Sequence, residues 1–213
     1  MSNLFSNGPG AIELLAPGAA LLRGFAAPHD AELAAVVRSV STAAPFRQMI
    51  TPGGFTMSVA MTNCGAFGWV SDERGYRYSP TDPDTGRPWP ALPTVIADLA
   101  SRAAAASGFD GFTPDACLVN RYAPGARLTL HQDKDECDMS HPIVSISLGV
   151  PAVFLFGGLK RNERTLRLSL AHGDVVVWGG PARLRYHGVA TLKADRHPFA
   201  GAERINLTLR RAR

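Results

Sequence analysis

Three residues of this 213-residue chain have types and spacing that could build a metal centre: His131, Asp133 and the distant His187. His131 and Asp133 follow directly on the strand-like RLTLH. In an extended chain, residues two apart project to the same face, so imidazole and carboxylate can converge on one point. His187, in LRYHG, can supply a third ligand. Two histidines and one carboxylate hold one face of an octahedral iron and leave three positions open. A 2-oxo acid such as 2-oxoglutarate chelates through two of them, and dioxygen takes the third. The spacing alone is weak, since six histidines and 18 acidic residues give roughly 0.5 His-x-acid matches by chance. A second match, His172-Gly173-Asp174, precedes VVVW and reads as a turn entering a strand. His29, His141 and His197 sit beside prolines or turn residues and have no partner pattern.

The C-terminal RINLTLR is more informative. Alternation places Arg204, Asn206, Thr208 and Arg210 on one face and Ile205, Leu207 and Leu209 on the other. Two arginines facing the interior of a barrel are costly without anions to satisfy them. A dicarboxylate would satisfy both, because guanidinium and carboxylate pair in a bidentate fork. A second strand, LVNRY, puts Leu118, Asn120 and Tyr122 on one face, offering an amide and a phenol. The competing reading of RINLTLR is a solvated edge strand with a polar outer face. The order favours the site: a short His-x-Asp, a distant His and an Arg-rich last strand lie in one strand-rich region.

These side chains must be positioned by the elements around them. DAELAAVVRSVSTA (Asp30 to about Ala43) reads as a helix with Asp30 near its cap, and a second helix spans about Thr94 to Ser107, stopping at Gly108. PGAALLRGF reads as a short strand. From Phe46 to Pro93, glycine, proline, aspartate and aromatics interleave without sustained periodicity, which predicts short hairpins and loops of the kind that form binding surfaces. After Pro114, ACLVNRY, RLTLH, IVSISLG, AVFLFGG, LRLSL, DVVVW and RINLTLR predict about seven short strands, hence a sandwich or barrel.

The composition, 46% hydrophobic and 19% charged, is that of a folded globular protein. No apolar run approaches the length of a membrane span. MSNLFSNGPG has neither a basic nor an apolar signal region, so no secretory signal is expected. Three widely spaced cysteines, Cys64, Cys117 and Cys137, fit free thiols in a reducing cytoplasm and match no CxxC zinc spacing. The net charge of +4 is compatible with a polyanionic partner without requiring one. A monomer is the default expectation.

Longer passages carry a resemblance. PFRQM, TPGG, TMSVAMTNCG, PDACLVNRYAPGARL, LHQDKDE, GGLKRN, HGDVVVWGG and the terminal Arg-x5-Arg of RINLTLR run collinearly, and through them the chain resembles the bacterial AlkB family of alkylation-repair dioxygenases almost from end to end. The resemblance implies an α+β, mainly β fold: a double-stranded β-helix, or jelly roll, with flanking helices and an N-terminal nucleotide-recognition lid. It divides the chain into residues 1–90, extension and lid, and 91–213, the catalytic core, within one integrated domain. It implies that His131, Asp133 and His187 hold Fe(II), and that Asn120, Tyr122, Arg204, Asn206 and Arg210 hold 2-oxoglutarate. The implied chemistry uses O2, decarboxylates 2-oxoglutarate to succinate and CO2, and hydroxylates an N-linked methyl group that then leaves as formaldehyde. That amounts to direct-reversal repair of DNA, with RNA left open as a further substrate.

On the substrate side, the resemblance implies that Trp69 and the His131 ring sandwich a flipped base, with Asp135 facing its amino group. Tyr76, Arg77 and Tyr78 of the lid, and Arg161 of GGLKRN, would grip the phosphate backbone. Bases such as 1-methyladenine and 3-methylcytosine are cationic, which suits aromatic faces beside a carboxylate. Reaching the iron requires leaving the stack, which favours single strands or damaged pairs. Each role has a structural rival: Trp69 and the tyrosines as packing residues, Asp135 as a brace for the metal loop, Tyr122 as core, Arg161 as a solvated loop charge, Met57 and Met61 as gap fillers. Arg127 and Ile205 stand where the family typically carries Lys and Tyr, and Cys137 interrupts the stretch after HQDKDE. Two other functions stay open: the same cofactors acting on tRNA, protein or a small molecule, and a nucleic-acid-binding module with a structural metal. Structural zinc usually has four closed ligands, which counts against the module.

Overall fold

The computed structural model describes residues 10–213. The chain opens with strands β1 (Ile12–Ala16) and β2 (Ala19–Leu22), then helix α1 (Asp30–Ala43). Acidic Asp30 and Glu32 lie in the first turn of α1, where they complement the helix dipole. Strands β3 (Arg47–Ile50) and β4 (Thr56–Gly65) form a hairpin, followed by a second hairpin of β5 (Gly68–Asp72) and β6 (Gly75–Ser79). Helix α2 (Thr94–Ala106) starts after Pro93 and ends before Gly108, whose φ of +86° suits a C-terminal cap. The remainder is strand-rich: β7 (Ala116–Tyr122), β8 (Leu128–His131), β9 (Ile143–Gly149), β10 (Ala152–Phe156), β11 (Leu166–Leu170), β12 (Val175–Trp178), β13 (His187–Val189) and β14 (Arg204–Arg210).

An eight-stranded sheet runs β1-β2-β12-β9-β14-β7-β4-β3, and a four-stranded sheet runs β11-β10-β13-β8. Every pairing within them is antiparallel. The architecture is mainly β with two flanking helices, consistent with a jelly roll. The larger sheet is buried on both faces, and strand alternation sorts its residues. Ile205, Leu207 and Leu209 of β14, with Val144 and Ile146 of β9, pack beneath Leu33 and Val36 of α1 and Ile96 and Leu99 of α2. Each such side chain contributes about 1.5–3 kcal/mol on burial. Truncating Leu207, which is fully buried, to alanine therefore costs about 2–5 kcal/mol. The opposite face of the same strands, including Leu118, Tyr122, Val176 and Trp178, meets Phe154 and Phe156 of the smaller sheet.

Three features differ from the sequence reading. TMSVAMTNCG, expected among hairpins and loops, is a ten-residue strand inside the larger sheet, with Asn63 and Cys64 opposite Leu118 and Cys117. Its mixed composition hides a strand buried mostly by packing on both faces. PGAALLRGF is the turn and second strand of a hairpin rather than a lone strand. The three-residue β13 gave no periodic signal, and it exists because Gly188 lets two backbones approach. A Cβ there would lie 2.6 Å from the Leu128 carbonyl oxygen.

Candidate active site

The closeness of β8 and β13 sets the first two ligands. His131 at the end of β8 is the register partner of His187 at the start of β13, with ring centroids 4.4 Å apart. Asp133 follows two residues after the strand ends, and one ligand atom from each of the three lies within 4.8 Å of the other two. Nε2 of His131 is 3.5 Å from Asp133 Oδ1, and Nε2 of His187 is 3.7 Å from Asp133 Oδ2. The distal nitrogens point at backbone carbonyls, His131 Nδ1 at Thr129 (2.9 Å) and His187 Nδ1 at Arg185 (3.1 Å). Donation there fixes the tautomer and leaves each Nε2 lone pair free for a cation. Burial, then the adjacent His131, pulls the His187 pKa down to about 3, so its imidazole is neutral. Burial would raise the Asp133 carboxyl, but the charge and hydrogen bonds of Arg210 overcome it and hold it well below the usual carboxylate range. Two imidazoles and one carboxylate are the donor set of a ferrous facial triad.

Strand β14 supplies the next layer from the opposite sheet. Arg204, Asn206 and Arg210 point into one cavity of about 830 Å³ that also reaches Asn120, Tyr122 and the triad. Arg204 is 1% exposed, lies over the Tyr122 ring at 5.0 Å, and donates through Nη2 to Ser147 Oγ at 3.1 Å. Its Nε and Nη1 have no partner. A buried guanidinium left this incomplete calls for a carboxylate, and burial lowers its pKa accordingly. The Oδ1 of Asn120 is also unpaired, while its Nδ2 donates to Asn206 Oδ1 at 3.3 Å. Arg210 differs from Arg204: it already grips Asp133 Oδ2, Nε at 2.8 Å and Nη2 at 2.5 Å. These residues fit a dicarboxylate such as 2-oxoglutarate: Arg204 offers unpaired donors, and Arg210 stands beside the triad on Asp133.

Two residues outside the sequence-based set brace this floor. Arg183, 3% exposed, donates to the backbone carbonyls of Asp133 (2.7 Å) and His141 (3.0 Å) and pairs with Glu136 Oε2 at 2.9 Å. Glu136 in turn accepts the Tyr78 hydroxyl at 2.7 Å. LHQDKDE gave a signal for Glu136, an acid beside a ligand, but nothing in PARLRYH marks Arg183. Trp178, from VVVW, packs its ring 4.8 Å from His187.

The lid residues divide. Trp69 stacks on Tyr76 with ring centroids 5.5 Å apart and planes 14° from parallel, and its indole donates to Asp135 Oδ2 at 2.8 Å. All three line the cavity, as do Met57, Met61 and the exposed Arg127 and Arg161. Arg161 lies 5.9 Å over the Tyr186 ring. Arg77 does not join them. Alternation in β6 turns it to the other face of the hairpin, where it forks onto Asp72 at 2.8 and 2.7 Å. Tyr78 lines the cavity but is 6% exposed and bound to Glu136, unlike Tyr76 at 48%. Within the protein, Arg77 is thus held on Asp72 and Tyr78 on Glu136. His172 bridges the Gly149 amide and Asp30 and is not among the residues grouped with the triad. Ile205 faces the helices, away from both arginines.

A jelly-roll scaffold carrying a His-x-Asp…His triad next to a carboxylate-seeking arginine defines the 2OG-Fe(II) oxygenase superfamily, whose family model matches residues 18–210. Within it the chain belongs to the AlkB family, which works with Fe(II), 2-oxoglutarate and O2. It is 57% identical over 212 residues to the alpha-ketoglutarate-dependent dioxygenase AlkB of Escherichia coli, covering 100% of this chain and 98% of that one. It is 37% identical over 98 residues to the human nucleic acid dioxygenase ALKBH1, covering 46% of this chain and 25% of the other. The solved structure of OsALKBH1 superposes with a TM-score of 0.82 at 30% identity, over 94% of this chain and 99% of that chain.

Proposed function

We propose that the protein removes N-linked methyl groups from cationic bases of the 1-methyladenine and 3-methylcytosine type, in DNA and also in RNA. It would release formaldehyde, succinate and CO2. One observation carries the reading: the triad, the incompletely paired Arg204 and the Trp69–Tyr76–Asp135 group all open into the same cavity. The nucleic-acid substrate also accords with the relatives, among them the human nucleic acid dioxygenase. Dioxygen is the oxidant: bound iron would activate it, with 2-oxoglutarate supplying two electrons as it becomes succinate and CO2 and the N-methyl group supplying the other two.

The chain's own residues do the rest. His131, Asp133 and His187 hold the metal on one side and leave the other open. Arg204 and Arg210, with Asn120, Tyr122 and Asn206 around them, bind and orient 2-oxoglutarate, and Arg210 also holds the ionised Asp133 in place. Trp69 and the His131 ring hold the flipped base, Asp135 accepts from its amino group, and Tyr76 with Arg161 meets the phosphates. Arg77 and Tyr78 act through the lid, as its internal pair and its anchor. The lid is read as part of residues 1–90 and the catalytic core as residues 91–213. All three cysteines are free thiols, which suits a reducing cytoplasm. Among the described residues, no helix is long and apolar enough to cross a membrane. We take the working unit to be a monomer.

The test is formaldehyde release from single-stranded oligonucleotides carrying 1-methyladenine or 3-methylcytosine, with Fe(II), ascorbate and 2-oxoglutarate. Turnover of DNA and RNA strands is expected. No turnover of any methylated strand, with iron and 2-oxoglutarate demonstrably bound, would refute it.

A further inference from the structure

Trp69 and Tyr78 are register partners across the β5–β6 hairpin, and each donates to one of two consecutive acidic residues that follow the metal ligands. Tyr78 reaches Glu136 at 2.7 Å and Trp69 reaches Asp135 Oδ2 at 2.8 Å. The backbone of Trp69 is fixed separately. The fully buried Asn63 donates to its carbonyl and accepts from its amide, both at 3.0 Å. Tyr76 covers one face of the indole. The edge of Trp69 is therefore held on Asp135 by three constraints of different kinds, none of which involves a substrate.

A carboxylate terminal torsion is broad and roughly two-fold, so an unrestrained Asp135 would sweep both oxygens through the cavity. An N–H bond to an ionised oxygen is among the stronger hydrogen bonds, and it removes that freedom. We propose that the Trp69 indole N–H sets base selectivity: by occupying Asp135 Oδ2, it aims the remaining oxygen at the exocyclic amino group of the alkylated base. Trp69 is in this respect a positioning residue. The inference rests on the reading that the cavity takes an alkylated base.

The chemistry gives a direction. An ionised carboxylate only accepts. A cationic base bearing an amino group offers a donor and a compensating charge. A neutral base with a carbonyl at that position offers a second acceptor and leaves the remaining Asp135 oxygen unpaired. Sites built to hydrogen-bond a substrate N–H discriminate most strongly against analogues lacking it. A carboxylate oriented in advance makes that discrimination larger than a freely rotating one.

The deciding experiment compares 3-methylcytosine with 3-methyluracil in one single-stranded oligonucleotide. The two bases differ at a single ring position, amino against carbonyl, and in the charge that follows. Trp69→Phe keeps an aromatic face against Tyr76 and lacks the N–H, while Asn63 and the Tyr78–Glu136 bond still hold the hairpin. The 3-methylcytosine to 3-methyluracil ratio of kcat/KM should fall about tenfold in W69F, mainly through loss on 3-methylcytosine. In an Asp135→Ala background the same substitution should shift the ratio less than about twofold, because the interaction it removes is already gone. Equilibrium affinities of the metal-free protein for the two oligonucleotides, read by fluorescence anisotropy, should show the same pattern. An unchanged ratio, or equal losses on both bases, overturns the proposal and leaves Trp69 as a stacking surface only. If the wild-type enzyme oxidised neither strand, the proposed function would fall, while the binding arm would still decide the role of the indole.

Discussion

His131 and His187 meet because β8 and β13 pair in register, and Asn206 and Asn120 meet because β14 and β7 do. Trp69 reaches Asp135 by another route. It sits on a two-stranded hairpin, β5–β6, that belongs to neither large sheet and is fastened by side-chain bonds to Asn63, Asp135 and Glu136. Isolated two-stranded hairpins are marginally stable, so these few bonds decide where the lid lies. The floor of the cavity is fixed by backbone register shared with the core, and its roof by individual donors. A change in the floor should therefore remove chemistry, and a change in the roof should alter which substrate is accepted and how firmly.

The largest effect should come from the floor. His131→Ala or Asp133→Ala should lower turnover at least about 10³-fold, because a bound metal contributes several kcal/mol to the transition state. Circular dichroism should show an intact fold, and near-normal turnover in either variant would break the assignment. The two arginines of β14 sharpen the point. Arg204→Met should weaken 2-oxoglutarate binding about 100-fold or more. The same change should raise the stability of the ligand-free protein by about 1–4 kcal/mol, since an unpaired buried charge is gone. Arg210→Met should instead destabilise by about 3–5 kcal/mol, because it strands the buried Asp133 carboxylate. Calorimetric titration and denaturant melts separate the two, and equal stability changes would contradict the difference in pairing.

Roof changes should be smaller. Tyr76→Ala should weaken oligonucleotide binding about fivefold to tenfold, the scale of one aromatic stack, and leave 2-oxoglutarate affinity unchanged. The smallest effect lies at Asp72. Its hydrogen bonds with Arg77 are the main reason that its pKa sits at about 2, down from 3.8. A depressed folded pKa contributes stability above the unfolded value that is lost as pH falls through the folded one. Asp72→Asn should thus flatten the acid melting profile between pH 4 and 2 and do little at neutral pH. Thermal melts across that range check it.

Much of the floor was legible in the chain because alternation is a local property. RINLTLR alone places Arg204, Asn206 and Arg210 on one side of β14, and LVNRY places Asn120 and Tyr122 opposite them. His131 and Asp133 are close because they are two apart, but bringing in His187 depends on Gly188 and a strand too short to show a period. Arg183 is illegible for a related reason: its three partners lie 42 to 50 residues away. Arg77 shows the converse. Its place in GYRY invites a substrate role, and only pairing across the hairpin shows that it faces Asp72. The longer resemblance pointed to the segment that forms the β5–β6 hairpin, and side-chain geometry sorts its members.

The His-Asp-His triad sits on and beside the four-stranded sheet, whereas Arg204 and Arg210 belong to the eight-stranded one. The reaction centre is a seam between two layers, and neither layer owns it. Loosening the smaller layer alone would part the ion from its co-substrate while the helix-covered layer stayed whole. Gentle heating should accordingly release iron and end activity before the protein melts.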